Sequence, residues 1–342
     1  PAAPGLPGQV LIPNTPNSSF QYDAAVFIGS EMSERTRLMI ESHVVSDPSG
    51  QGAAGPGGVT IVMTEVAASW DLVPGALTLT GGLFWAAFAT VNQDWLGAQN
   101  LFTTVPIASG AFPAHLNERG VRLDGARALG RNTAVNYVVA LGNGSQSFDI
   151  GGQAAYDGND NKTAIGRVAL FPGLGDRLEI AASASRGQLR DSADTTRSLD
   201  DPARYQARFA AVGLDASYRQ GPVAVRGYWI HSRETFEPTT GFAPAPLVRR
   251  GAMVEASYTI RPRAMPFGIA RVVPKARVDR ARADVLAPSG GNPTAFQSTI
   301  YSVGATVAPN DRLALSLEYH VRRERQVALA NDRLVIRLTG EF

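Results

Sequence analysis

A chain of 342 residues with 44% hydrophobic composition and a mean hydropathy of −0.07 is long for one ordinary domain, yet not apolar enough for a bundle of membrane helices. No run of about 18 apolar residues occurs, so passage through a bilayer would fall to strands. The 32 Lys+Arg against 30 Asp+Glu leave a charge of +2, too balanced to argue for nucleic acid, and the absence of Cys removes disulfides, thiolate nucleophiles and Cys-ligated metals. Nearly every cation is Arg, with Lys162 and Lys275 the only lysines. Arg keeps its charge when partly desolvated, which suits the lining of a pore.

Residues 1–19 are rich in Pro, Gly and Asn, and only Gln9 to Ile12 reads as a strand. This segment is expected to be a weak first strand, a piece entering a lumen, or a tail. The start on Pro1 without an initiator Met is read as the mature form of an exported chain.

From residue 20 to residue 342, apolar and polar residues alternate over stretches of about 9 to 12 positions, the signature of membrane strands. The connections alternate as well. Short turns are predicted near Pro74-Gly75, Leu129 to Arg131, Pro172 to Asp176, Gln220 to Pro222, Pro262 to Pro266 and Pro309 to Asp311. Long loops are predicted over 46–57, 87–117, 143–161, 187–202, 234–248 and 283–293. An all-β transmembrane antiparallel barrel places its short turns towards the periplasm and its long loops outside. The alternating segments count to about 15, and an even number is expected of a barrel with both termini on one side, so sixteen strands are predicted, with fourteen as the rival.

The connection 87–117 holds Trp95, Phe102 and Phe112. It is too apolar for a solvated loop, and is predicted to fold into the barrel and narrow it; a loop packed over the rim is the competing reading.

Around residue 275, Arg271, Val273, Lys275, Arg277 and Asp279 share one face of a strand. Three cations project to one side, about 7 Å apart for positions two residues apart. They would either meet a passing anion or pair with carboxylates of neighbouring strands such as Glu255 or Glu318. Arg122, Arg167, Arg226, Arg261, Arg312 and Arg337 are further candidates for the lumen, set against Glu41, Glu65, Asp124, Glu179, Asp215, Glu255 and Glu318. This mixture predicts weak selectivity, tilted towards anions.

The last two strands show the two faces best. Leu313, Leu315, Leu317, Tyr319 and Val321 oppose Arg312, Ser316, Glu318, His320 and Arg322; Leu334, Ile336, Leu338, Gly340 and Phe342 oppose Arg333, Val335, Arg337, Thr339 and Glu341. The final strand, ending in Phe342, is the segment expected to engage the barrel-assembly machinery.

The run from His115 through Arg119 and Asp124 to Gly125, with Gly81-Gly82-Leu83-Phe84 before it and Tyr137 and Gly142-Asn143-Gly144 after it, resembles the central part of the phosphate-selective porin O and P family. The resemblance implies a 16-stranded barrel passing anions through an Arg- and Lys-lined lumen, commonly as a homotrimer.

His43, His115, His231 and His320 are the only imidazoles, and none has a Ser or acidic partner at a recognisable catalytic spacing or a second His at ligand spacing. The expected function is therefore a porin of a Gram-negative outer membrane, without enzyme activity, cofactor or metal. Such a porin passes small hydrophilic, weakly preferred anionic solutes by passive diffusion, its partners being membrane lipid and solute. The alternative is a structural barrel of a larger envelope assembly, its lumen occupied by residues 1–19 or by a partner chain.

Overall fold

The computed structural model describes residues 23–47, 58–91, 100–113, 117–143, 162–173, 177–190, 206–236, 246–262, 269–285, 294–310, 312–325 and 332–340. The segment 1–19, Trp95 and Phe342 lie outside them. Fifteen strands form one sheet: β1 (Asp23–Ser33), β2 (Thr36–Asp47), β3 (Gly58–Val73), β4 (Leu77–Trp85), β5 (Asn117–Ala128), β6 (Ala134–Gly142), β7 (Thr163–Phe171), β8 (Leu178–Arg190), β9 (Gln206–Gln220), β10 (Val223–Phe236), β11 (Leu247–Tyr258), β12 (Arg271–Val285), β13 (Thr294–Ala308), β14 (Leu313–Glu324) and β15 (Arg333–Gly340). Their order in space is their order in sequence, and every pairing is antiparallel. Among the described residues the strands number fifteen, between the two even counts expected from the sequence.

Chemistry explains this meander. The strands alternate apolar with polar or small residues, and most of the tight connections fall where Gly, Pro or Asn cluster. Gln220 and Val223 are paired across a two-residue turn in which Gly221 takes φ 54°, a conformation a side chain disfavours. The connections after β1, β3, β5, β7, β9 and β13 are short and join strands at one end of the sheet; the one after β11, residues 259–270, joins strands at that end too but is longer than the short turn expected there, its start bridging Ile260 to Val272. Several strands continue further into the predicted loops than the alternation suggested: β8 to Arg190, β10 to Phe236 and β12 to Val285. Charged and small residues at those ends hide the period, while cross-strand pairing continues through them.

The two faces differ sharply. Leu334, Ile336 and Leu338 are 66%, 66% and 70% exposed, and Leu315, Leu317, Val303, Val278, Val254, Leu214 and Val212 repeat this outward apolar row on strand after strand. No helix among the described residues is long and apolar enough to cross a membrane. The apolar band runs instead along strands, whose backbone groups are paired within the sheet, the arrangement a bilayer core demands. The other face carries Glu41, Asp215, Glu255, Lys275, Arg277, Asp279 and Glu318, all buried. Lys275, Arg277, Asp279 and Glu318 lie under the connection after β4. It makes hydrogen bonds to β8, β10, β11, β12, β14 and β15, so the sheet wraps around it.

Candidate pore constriction

The chain leaves β4 at Trp85, whose indole donates to Glu41 on β2 at 2.8 Å, and turns inward. Ala89 takes φ 48° at the bend, and its amide donates to Ser183 of β8 at 2.9 Å. Phe88 stacks on Phe112 at 4.2 Å between centroids, and Phe112 meets Phe209 of β9 edge-on at 6.4 Å. With Phe84, Val91, Ile165, Tyr228, Ile230 and Met253 these rings form the apolar core of the molecule. The inner wall is thus greasy where the connection lies on it, an exception to the rule that inward residues are polar. Burial of apolar area there, at about 25 cal/mol per Å², is what draws an irregular segment against the sheet.

The segment 100–113 has no ladder of its own, so its buried backbone groups need partners from the wall. They find them in charged and hydroxyl side chains. Lys275 Nζ donates to the Leu101 carbonyl at 2.5 Å, to Ser316 Oγ at 2.8 Å and to Glu318 Oε1 at 2.7 Å. Both side chains of the Lys275 and Glu318 pair are fully buried. Glu318 in turn accepts from the Thr103 amide and hydroxyl, each at 3.0 Å. Arg277 donates to the Thr104 carbonyl at 2.8 Å and to its hydroxyl at 2.6 Å. Phe102 lies beneath both cations, 4.9 Å from Lys275 Nζ and 4.8 Å from the Arg277 guanidinium, in cation–π reach.

A 3-10 turn over Ile107–Ala111 completes the anchorage. The amides of Ile107 and Ala108 donate to Asp279 at 2.5 and 2.8 Å, so one carboxylate holds two donors that the turn itself leaves unpaired. Ser232 donates to the Ala111 carbonyl at 2.6 Å, Arg249 to Gly110 at 3.4 Å and Arg337 to Asn100 at 3.1 Å. Under the turn, a Cβ at Gly251 would collide with the Ala108 carbonyl, so this wall position has to be glycine for the backbone to lie so close.

Of the residues singled out in the sequence, Lys275, Arg277 and Arg337 are thus brought together beneath the connection, gripping it. Arg167 lies 2.8 Å from Asp215 and 2.5 Å from Glu179, and Arg226 is 2.5 Å from Glu255. Arg122 is 2.8 Å from Asp124, with Phe84 5.3 Å from its guanidinium. Arg271 opens β12 at the short-turn end. Arg261 and Arg312 are exposed in the connections at that same end, outside the ladders, and are not brought to the middle of the wall. Phe102 and Phe112 are buried between connection and wall. Asp279, Ser232 and Gly251 were not singled out as anchors. Their signal was the alternation that puts Asp279 on the face of Lys275 and Arg277, but nothing in the sequence says that backbone amides would meet it.

A loop L8 deletion mutant of OmpT, an outer membrane protein of Vibrio cholerae, superposes with a TM-score of 0.54 at 10% identity, over 89% of this chain and 85% of that one. OmpF of Salmonella typhi, in a complex with daunomycin, gives 0.54 at 13% identity over 96% and 93%. The chain has the fold of an outer-membrane β-barrel. An anion-selective porin from Comamonas acidovorans gives 0.50 at 11% identity over 93% and 83%. No family model matches the chain, and no curated protein matches it in sequence. Of the motifs that resemble the phosphate-selective porins, Gly81 to Phe84 fall on β4, Asn117 to Gly125 on β5, and Tyr137 and Gly142 on β6, while His115, Leu116 and Gly144 lie outside the described residues.

Proposed function

We propose that the protein is an outer-membrane porin that lets small hydrophilic solutes diffuse passively, with a weak preference for anions and with the anchored connection as its constriction. The observation that carries the preference is an asymmetry within the ion pairs of the inner wall. In most of them the arginine is the partner nearer water: 52% exposed against 19% for Arg37 and Asp71, 15% against 1% for Arg167 and Asp215, 14% against 3% for Arg226 and Glu255, and 14% against 4% for Arg249 and Glu234. Arg122 with Asp124 and Arg167 with Glu179 run the other way, which keeps the preference weak. Carboxylates at Asp279 and Glu318 are turned into the connection and shielded. A solute in the lumen therefore meets guanidinium more often than carboxylate, and fixed surface charge of one sign raises the local concentration of the other.

Phosphate specificity is not part of this reading. One of the two lysines, Lys275, is fully buried in the anchorage, which leaves no lysine cluster for phosphate. The porin reading itself draws on the lipid-suited outer face, the wall of paired charges and the barrel fold; the anion-selective neighbour adds precedent for the preference.

Planar-bilayer recording across a salt gradient tests both parts. Discrete conductance steps are expected, with a reversal potential displaced modestly towards that of chloride. A cation-selective reversal potential would refute the anion preference, and an intact barrel without conductance would refute the pore.

A further inference from the structure

The outward face of the sheet is not apolar from rim to rim. At the long-loop end it carries arginines on five strands: Arg186 on β8, Arg233 on β10, Arg250 on β11, Arg280 and Arg282 on β12, and Arg323 on β14. Arg186, Arg233, Arg250, Arg280 and Arg323 are exposed, and the Arg282 side chain is 38% exposed. The register aligns them. Ala210 is the partner of both Arg186 and Arg233, which puts those two in one transverse row. Arg250 faces Arg282 directly. Thr299 is the partner of both Arg280 and Arg323, which makes a third row, and Ala252 carries that row across to Trp229. The next row on the same face is Gly227, Val254, Val278, Tyr301 and Val321, where the greasy band begins. Towards the opposite rim the same face carries residues such as Tyr218, Tyr258 and Leu313, with Arg127 on β5 an outward exception.

We propose that this arginine belt binds lipid headgroups bearing phosphomonoesters, fixing the long-loop rim in an anionic leaflet. The proposal rests on the membrane reading given above. Like charges placed opposite each other across a ladder repel, so the pairing of Arg250 with Arg282 calls for an anion between them. Asp284 supplies one, 2.8 Å from Arg282 and 3.8 Å from Arg250. Among the described residues, no carboxylate pairs with Arg186, Arg233 or Arg280. The guanidinium fork matches two phosphate oxygens at once, which the point charge of an ammonium does not. Rows about 7 Å apart on one face suit several separately held phosphates rather than one deep pocket. The height of the belt also decides the ligand: a group held here has its acyl chains alongside Val254, Val278 and Tyr301, so a lipid fits where a free anion would gain nothing from that band.

The test is native mass spectrometry and thermal melting of the purified full chain in detergent. The probes are a bisphosphorylated glucosamine-disaccharide lipid and the same lipid with its phosphates removed. The wild type is expected to retain and be stabilised by the phosphorylated lipid alone, with millimolar inorganic phosphate neither stabilising nor competing. The fourfold variant Arg186→Gln, Arg233→Gln, Arg250→Gln, Arg280→Gln should lose about a hundredfold or more in apparent affinity, since each cation near an anionic surface is worth a factor of about five. Arg127→Gln should bind like the wild type. Equal retention of the dephosphorylated lipid, competition by inorganic phosphate, or undiminished binding in a fourfold variant that still conducts would overturn the proposal. A change in subunit number with lipid retention unaltered would show the belt to be a contact between copies, and overturn it equally. Loss of conductance in every form would instead refute the pore while leaving lipid retention readable.

Discussion

Replacing Lys275 by Met is expected to raise single-channel conductance and to destabilise the barrel by about 3–5 kcal/mol, because it strands the Glu318 carboxylate in a fully buried site. The substitution removes three donors at once, from the Leu101 carbonyl, Ser316 and Glu318. Glu318 can regain water only if the connection lifts away from β14, and that movement widens the lumen. The charge, rather than the packing, is the cause, and a second substitution separates the two. In Lys275→Met with Glu318→Gln neither charge of the pair remains, while the Gln carbonyl still accepts from Thr103. The double variant should recover most of the stability and return conductance towards the wild-type value. Conductance and urea unfolding in vesicles check both. A double variant as unstable as the single one would show that the pair acts through shape and not through charge.

Gly251→Ala is expected to act with the opposite sign on conductance. Its methyl group would lie against the Ala108 carbonyl, and strand β11 cannot retreat because both its edges are paired. The turn Ile107–Ala111 therefore shifts off the wall towards the lumen axis, still tethered by Asp279 and Ser232. Overpacking of this kind costs about 1–3 kcal/mol. Conductance should fall in Gly251→Ala and rise in Lys275→Met, measured under the same salt. A rise in both would mean that the connection is simply shed whenever it is disturbed, and that the anchorage does not set its position.

These two residues also mark what could be read from the sequence. The alternation of Leu, Val and Tyr with charge makes the outward row at Leu334, Ile336 and Leu338 legible in the sequence, and most of the short and long connections are legible too. The apolar content of 87–117 pointed inward for a sound reason, since a solvated loop has no use for Phe102 and Phe112. What periodicity could not supply was the partner of each inward group. Period 2 places Lys275 and Arg277 on the inner face, but whether such a cation meets solute, carboxylate or a backbone carbonyl depends on a segment some 170 positions away in sequence, as for Arg277 and Thr104. Of the two partners considered for this ladder, Glu318 is the one that pairs with Lys275, while Glu255 pairs with Arg226. The inward apolar residues Phe209, Ile230 and Met253 run against the expected polarity, and become intelligible only once the connection covers them.

All of this depends on which side of the sheet faces lipid. The chain has no native cysteine, so single thiols can be introduced one at a time. Val335 and Ile336 are neighbours on β15 with opposite orientations, Ile336 being 66% exposed on the outer face. In protein reconstituted into vesicles, Val335→Cys should react with a small charged thiol reagent and Ile336→Cys should resist it while being quenched by a lipid-soluble probe. Rapid modification of Ile336→Cys with Val335→Cys protected would contradict the account at its root.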